Sequence, residues 1–586
     1  MNQGNQHQNQ ATRAAQYFIH HEIPFHLGFL TTEQSHSKTL NFSDLIRRST
    51  ADGLINLMEV DRDIVPVAKQ AFHSEPYQML VKEVTQCIRQ GQRVIFSSCG
   101  ASGRLVILLE AMWREFWNQA AIRFPKHSSL CRRIENQVAS IMTGGERALI
   151  RAVENFEDYQ SFGRRQAEET GIQNQDIMIA LTEGGEISSV IGSMKHALAQ
   201  HARVFMIHNN PAEILRSHFE RSKEVIDHPE VITIDLTTGP MAIAGSTRMQ
   251  ATTIGMLIVG AALEEAFSGI LPEKHQTKDL GSENLWADQF AELLDQLQQP
   301  QVINGLSRWA ELEAALYRKG GLVTYSADCY LLDILSDTTE RTPTFMIPPF
   351  RNDEDLNGPD SWAFVKHPHY STPETWEYIL KRPPRGLSWS AADYQKMGAD
   401  RSIIKSAPKL SREDILKYRI GNEPDPSRYV STESVLITIR MNNESVKSTQ
   451  TAGLPDANRY KKQVWITIGD SPDKVLNPKF IPLPVSLSET SINLFHHLAL
   501  KMILNTVSTA TMALLGRISG NWMIQVDATN KKLIDRATRI VAHFSGLSYE
   551  AACEALFQTM YEPKIDRLEF KKSYVIQTLE RLGVSY

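Results

Sequence analysis

The sequence has no CxxC pair and no regular cysteine spacing. Its five cysteines, Cys87, Cys99, Cys131, Cys329 and Cys553, are scattered over 586 residues. Neither a disulfide framework nor a zinc finger fits that pattern, which points to reduced thiols and a cytoplasmic setting. Positive charge is not in excess: 62 Lys and Arg face 67 Asp and Glu, a net charge of −5. Without a basic footprint, nucleic acid is not an expected partner. No run reads as long and apolar enough to span a membrane, and the N-terminus shows no charged-then-apolar signal segment. A P-loop, a dinucleotide fingerprint and a nucleophile elbow are also missing. His367 and His369, and the neighbours His496 and His497, lack the carboxylates or helical spacing of a metal site. Neither a metal nor another cofactor is expected. No short solenoid-like repeat is present.

The chain is organised around Arg93 to Arg114. Arg93 to Ser98 reads as a buried strand, and the Leu-, Ile- and Ala-rich run from Leu105 reads as a helix. Between them, Cys99-Gly100-Ala101-Ser102-Gly103-Arg104 forms a tight connection. Its glycines allow close backbone approach, and Ser102 with the free N–H groups opening the helix makes a concave cluster of donors. Such a cluster suits a phosphate or carboxylate, although strand-Gly-Ser-Gly-helix is also an ordinary βα turn. A second loop, Gly239 to Met249, follows the strand Val231 to Leu236 and ends in Ser246, Thr247 and Arg248. Two such loops on one parallel sheet face one ligand from two sides.

At 586 residues the chain exceeds one core, and length alone favours about two to four domains. Met1 to Thr12 is Gln/Asn-rich and reads as a disordered tail. Helical patterns fill Phe42 to Gln92. Strands then recur at Ser140 to Thr143, Asp176 to Leu181, Arg203 to His208 and Val231 to Leu236, alternating with helices as in a doubly wound parallel sheet. A second αβ series starts near Asn304, with strands at Gly320 to Ser326, Val435 to Arg440 and Gln463 to Ile468. Its first turn has no glycine beyond Gly321 and puts Asp328 where an anion would sit. Pro343 to Pro384, rich in proline, acid and aromatics, reads as a long surface excursion. From Glu489 onward the pattern is helical.

Gly100-Ala101-Ser102-Gly103-Arg104, Gly144-Gly145-Glu146, Val153 to Asp158 and Gly245-Ser246-Thr247-Arg248-Met249 resemble, in order and spacing, the sugar isomerase (SIS) domain of N-acetylmuramic acid 6-phosphate etherases. Lys501 to Gly516 and Asn530-Lys531-Lys532-Leu533 resemble the C-terminal helical part of that group. From about Thr31 to about Gly546 the chain is similar to the longer, two-SIS glucokinase regulatory proteins. The resemblance implies an α/β fold of two doubly wound, three-layer SIS domains, residues 31–290 and 291–488, with a leading tail over 1–30 and a helical lid over 489–586. It implies a sugar-phosphate ligand such as fructose 6-phosphate, a sugar kinase as partner, and a monomer whose SIS domains pair internally. The implied ligand-binding residues are Gly100, Ala101, Ser102, Gly103, Arg104, Glu154, Glu157, Glu186, Ser188, Ser246, Thr247, Arg248, Glu340 and Lys501.

Glu154 and Glu157 lie three apart and are expected on one face of a helix, as paired carboxylates for proton transfer or simply as a solvated acidic face. Glu157 matches an active-site glutamate of the etherases. The etherase acid–base glutamate after the Gly-x-Ser-Gly-Arg loop is replaced here by Met112. Glu110, two residues away, is rotated by about 200° and reads as a surface partner of Arg114. Loss of a proton donor lowers a rate by roughly 10²- to 10⁴-fold. Glu183 and Glu186 bring negative charge into a loop where the family has small neutral residues, and Gln250 and Met256 stand where etherases tend to have lysine. Two readings follow: a sugar-phosphate-binding regulatory protein, or a carbon–oxygen lyase using Glu157. An aldose–ketose isomerase is a third, without a distinct histidine–glutamate pair to support it.

Overall fold

A computed structural model describes residues 2–153, 155–270, 284–355, 357–441, 454–469, 479–562 and 572–586. Glu154 lies outside the described residues. Five parallel strands form the first sheet: β1 (Val94–Ser98), β2 (Val138–Met142), β3 (Ile177–Thr182), β4 (Arg203–His208) and β5 (Val231–Asp235), in the order β2-β1-β3-β4-β5. The Val94 to Ser98 run is buried throughout, as expected of a parallel strand covered on both faces. The second sheet holds β6 (Val323–Ser326), β7 (Ala363–Lys366), β8 (Val435–Met441), β9 (Lys462–Ile468) and β10 (Phe480–Leu483). Read from β7, its order is β7-β6-β8-β9-β10, all parallel, which repeats the order of the first. The chain is therefore two α/β doubly wound layers joined in tandem, with a helical C-terminal region.

Five helices position the site. Helix α1 (Gly100–Arg123) follows β1, α2 (Gln250–Ser268) follows the β5 loop, α3 (Leu331–Phe345) follows β6, α4 (Leu494–Leu514) follows β10, and α5 (Lys531–Ser545) opens the C-terminal layer. Helix α2 corrects one expectation. It is long and apolar enough to cross a membrane, with 89% of its apolar window buried inside the protein. It packs against α1, α4 and the helix Glu75–Gln90, and being apolar all round is what burial on every side requires. Helix α4 likewise packs against α2, α3 and Pro300–Arg318.

Other expectations are corrected. The N-terminal stretch read as a tail forms the helix Asn2–His21. Its Ala15, Phe18 and Ile19 pack on Cys553 and Phe557 of the C-terminal layer. The segment Pro343 to Pro384, read as a surface excursion, contains β7 and the fully buried Trp376. Beyond it, Trp389 and Tyr394 reach back to the first domain, where Trp389 stacks on Phe156 with an interplanar angle of 4°. Glu110 is buried, not a surface residue. It pairs with Arg114 at 2.9 Å, with Arg382 at 2.8 Å and with Arg385 at 2.7 Å, which ties α1 to the second half. Those guanidinium groups outweigh burial and hold its carboxyl well below the usual range. All five cysteines are free thiols.

Candidate functional site

At the carboxyl end of β1 the chain turns at Gly100, whose φ is +60° and whose missing Cβ would have nothing within 4 Å. That open side faces a cleft lined by the β1 loop, the β5 loop, α3 and α5. Ser102 does not face it: its Oγ donates back to the Cys99 carbonyl at 3.0 Å and braces the turn. Gly103 lets α1 approach β2, since a Cβ there would stand 2.9 Å from Met142. The N–H groups of Gly100, Ala101 and Ser102 find no acceptor among the described residues, leaving donors at the positive end of a 24-residue helix.

Arg104 is almost fully buried. It donates from Nε to Thr339 Oγ1 at 3.1 Å and from Nη1 to the Gly100 carbonyl at 3.2 Å, and pairs with Glu340. Its Nη2 is buried without a partner. From the second loop, Ser246 and Thr247 line the same cleft. Arg248 is spent on the second half. Nη1 reaches Asp337 at 2.9 Å and Nη2 reaches Ser508 at 3.1 Å and Thr509 at 2.8 Å, with the guanidinium 5.3 Å from the Phe345 ring centre. Burial lowers its pKa, and Asp337 opposes that shift.

The C-terminal layer supplies the roof. Asn530 caps α5 by accepting from the Leu533 N–H at 2.9 Å, and its Nδ2 donates to Glu157 Oε1 at 3.1 Å. The other Glu157 oxygen accepts from the Cys99 thiol at 3.7 Å. Glu157 is not on a helix face as expected. It sits in a single 3-10 turn, Phe156–Asp158, entered through Asn155 in the left-handed region. Arg536 lines the roof but is held by Glu33, with Nε 3.0 Å from Oε2. Lys532 makes no hydrogen bond among the described residues, and its closest ion-pair partner is Glu186 at 4.0 Å. Burial works against its charge, but Glu186, Glu157 and Glu33 prevail and raise its pKa above the ordinary lysine value.

The structure thus brings Gly100, Ala101, Arg104, Glu157, Ser246, Thr247, Arg248 and Glu340 to one cleft. Ser102, Gly103, Glu186 and Ser188 are not among its lining residues. Ser188 opens the buried helix Ser188–Ala199. Lys501, expected at the ligand, is taken up elsewhere: its ammonium donates to the Arg248 carbonyl at 2.9 Å, Thr253 Oγ1 at 2.8 Å and Asn505 Oδ1 at 3.0 Å. With the Met249 carbonyl at 3.4 Å as a fourth acceptor, all three of its N–H donors are engaged, and burial pushes its pKa down to about 8. Glu183 turns neither to solvent nor to the cleft. It is buried with Oε1 unpartnered, and burial pushes its pKa up to about 7. Met112 faces a different cavity. Sequence reasoning missed Lys532, Arg536 and Thr143 as lining residues. Only the Asn530 to Leu533 stretch carried any signal of the first.

Parts of the chain are similar to known proteins. The model for the glucokinase regulatory protein N-terminal SIS domain matches residues 78–198. The C-terminal lid domain of glucokinase regulatory protein matches residues 520–581, the layer that carries Asn530, Lys532 and Arg536. N-acetylmuramic acid 6-phosphate etherase 1 of Bacillus licheniformis is 28% identical over 234 residues, 40% of this chain and 67% of that protein. The etherase of Klebsiella aerogenes is 28% identical over 233 residues, 40% of this chain and 68% of that one. The C-terminal domain of glucosamine-fructose-6-phosphate aminotransferase from Francisella tularensis superposes with a TM-score of 0.44 and 9% identity, over 79% of this chain and 96% of that chain. The chain thus carries one segment similar to the N-terminal SIS domain and one similar to the C-terminal lid domain of glucokinase regulatory protein, and over 40% of its length it is similar to the N-acetylmuramic acid 6-phosphate etherases.

Proposed function

We propose that the cleft binds one sugar phosphate, such as fructose 6-phosphate, and that the bound ligand sets the position of the lid and thereby controls a sugar kinase partner. The observation that carries this reading is the set of donors without a hydrogen-bond partner around one space: two open amides at Gly100 and Ala101, the buried Arg104 Nη2, and the Lys532 ammonium. A buried donor left unpaired costs about 1–3 kcal/mol, and a phosphate oxygen relieves several at once. Thr247 and Ser246 add hydroxyls from the second loop, and Glu157 with Asn530 offers an acceptor and a donor to sugar hydroxyls. Glu340 orients Arg104, and Glu186 pairs with Lys532. Because Lys532 comes from the lid and the amides come from the first SIS domain, one anion bridges both. The two SIS domains pair within one chain, which then acts as a monomer in the cytoplasm.

A second reading rests on Glu157. Its carboxylate stands in the cleft, held by Asn530 and Cys99, and is placed to move a proton at a carbon beside a carbonyl, as a lyase on an amino-sugar phosphate requires. Against it, Met112 occupies the etherase glutamate position and Glu110 is locked among three arginines.

One experiment separates the two. Purified protein is assayed for lactate release from N-acetylmuramic acid 6-phosphate, with Glu157→Gln as control, and the same protein is melted against a panel of sugar phosphates. The regulatory reading expects no turnover and a raised Tm, since a ligand at 100 times its Kd stabilises by about 2.7 kcal/mol. Turnover lost in Glu157→Gln establishes the lyase instead. Neither turnover nor any Tm shift overturns both.

A further inference from the structure

Because the two sheets share one strand order, the turn after β6 is the positional counterpart of the Gly100 turn after β1. A cavity of about 250 Å³ opens beside it, between α1 of the first half and α3 of the second. Leu108 and Met112 form one wall, and Tyr330, Leu332 and Tyr378 form the other. Where the first half presents open amides, this cavity presents a carboxylate. Asp333, in the first turn of α3, has a side chain only 2% exposed. Its Oδ1 lies 2.8 Å from His497 Nδ1, while Oδ2 is buried with no hydrogen-bond partner.

The neighbouring charges do not satisfy that oxygen. Lys381 pairs with Glu115 at 2.9 Å and sits 4.1 Å from the Tyr378 ring centre. Lys501, across the adjoining space that Asp333 also borders, already serves four acceptors. A buried carboxylate oxygen without a donor favours a ligand that brings one, and its charge disfavours an anion. The apolar and aromatic walls favour an organic body, and aromatic faces attract a cation.

We propose that this cavity is a second ligand site, taking a small primary amine whose ammonium donates to Asp333 Oδ2 and whose apolar body lies between Met112 and the ring of Tyr330. The ligand touches α1 and α3 together and so bridges the two halves. The replacement of a glutamate by Met112 acquires a role here, as the apolar wall of this cavity. The site stands independently of the sugar-phosphate reading.

The test is isothermal titration of the full chain with benzylamine, benzyl alcohol and benzoate at matched ionic strength. Benzylamine is expected to bind, benzyl alcohol at least tenfold more weakly, and benzoate not at all. Asp333→Asn should remove the preference for amine over alcohol. Ala111→Leu, which fills the cavity from α1 with a good helix former, should abolish both signals while its circular dichroism and cooperative thermal unfolding match those of the unmodified chain, so a misfolded Asp333 variant does not protect the idea. Equal binding of benzylamine and benzyl alcohol to the unmodified chain overturns the proposal. So does benzylamine binding that survives Ala111→Leu, or the absence of benzylamine binding at millimolar concentration.

Discussion

Gly100 and Tyr330 hold equivalent places, each opening the turn into the first helix after the second strand from a sheet's edge, and each has a positive φ, +60° and +58°. Around Gly100 the chain leaves amides, Arg104 Nη2 and the Lys532 ammonium without a hydrogen bond among the described residues. Around Tyr330 it places Asp328 before the helix and Asp333 in its first turn. Asp328 lies 3.4 Å from the buried His367, whose nearness lowers the carboxyl pKa. The strand order fixes where a crevice opens, and a few side chains at the helix start fix the sign of what enters it. The halves are also wired together: Arg248, from the first, meets Asp337, which in the second pairs with Arg341 at 2.8 Å.

That wiring gives the largest expected effect. Arg341 is fully buried, bound to Glu313 at 3.2 Å and to Tyr325 at 3.2 Å as well as to Asp337. Arg341→Met leaves the buried Glu313 without a counter-charge and Asp337 with Arg248 alone, and should destabilise the chain by about 3–5 kcal/mol, read from the shift of the urea midpoint. Adding Glu313→Gln should restore part of that loss. A single variant as stable as the unmodified chain would mean that the second half does not depend on this charge chain.

The next effect sharpens the contrast at the first cleft. Lys532→Met removes a cation that no hydrogen bond holds in place, so the fold should stand while binding suffers. A hydrogen bond to a charged group is worth about 1.5–3 kcal/mol, so fructose 6-phosphate should bind about 10- to 100-fold more weakly by calorimetry. Lys501→Met, in contrast, removes an ammonium saturated by Arg248, Thr253 and Asn505 and should lower Tm more than it lowers affinity. If Lys501 governs affinity instead, the phosphate sits behind Arg248 and not beneath the lid.

How much of this was legible in the sequence follows from how local each signal is. The strand Arg93 to Ser98, its glycine turn and α1 were legible because an apolar run, a Gly-rich break and a helix-forming run are contiguous. Strand β7 was not: Ala363 to Lys366 is four residues long inside a segment dense in proline and acid. Strand β10 carries Pro482, which argues against a strand unless it lies at a sheet's edge, as this one does. The N-terminal helix hid behind its glutamines, although Ala11, Ala15, Phe18 and Ile19 recur at helical spacing. At the site, the amide cluster, Arg104 and Glu157 were legible as motif residues. Lys532 was not, because only the tertiary fold brings the lid over the β1 loop, and the saturation of Lys501 depends on acceptors from α2 and α4.

The smallest effect concerns Glu183, whose anomaly in the sequence becomes a titration. Burial pushes its pKa up to about 7, and the charge of Glu340 adds to the rise, while Thr247, Lys532 and Lys501 oppose it. A carboxyl with a raised pKa in the folded chain contributes stability that is full below the ordinary value of 4.5 and is lost as pH rises through about 7. The same ionisation places a charge beside Thr247 and Lys532, both of which line the cleft. Raising the pH from about 6 to about 8 should therefore weaken fructose 6-phosphate binding by up to about tenfold relative to Glu183→Gln, since one pKa unit corresponds to about 1.4 kcal/mol. The variant is the necessary reference because the ligand's own phosphate titrates near a pKa of about 6 and tightens binding as it gains charge. Parallel pH profiles for the two proteins would assign the whole dependence to the phosphate and remove Glu183 from the electrostatics of the first cleft. Diverging profiles would show that the first half, too, carries a buried acid, one kept neutral so that its cleft stays open to an anion.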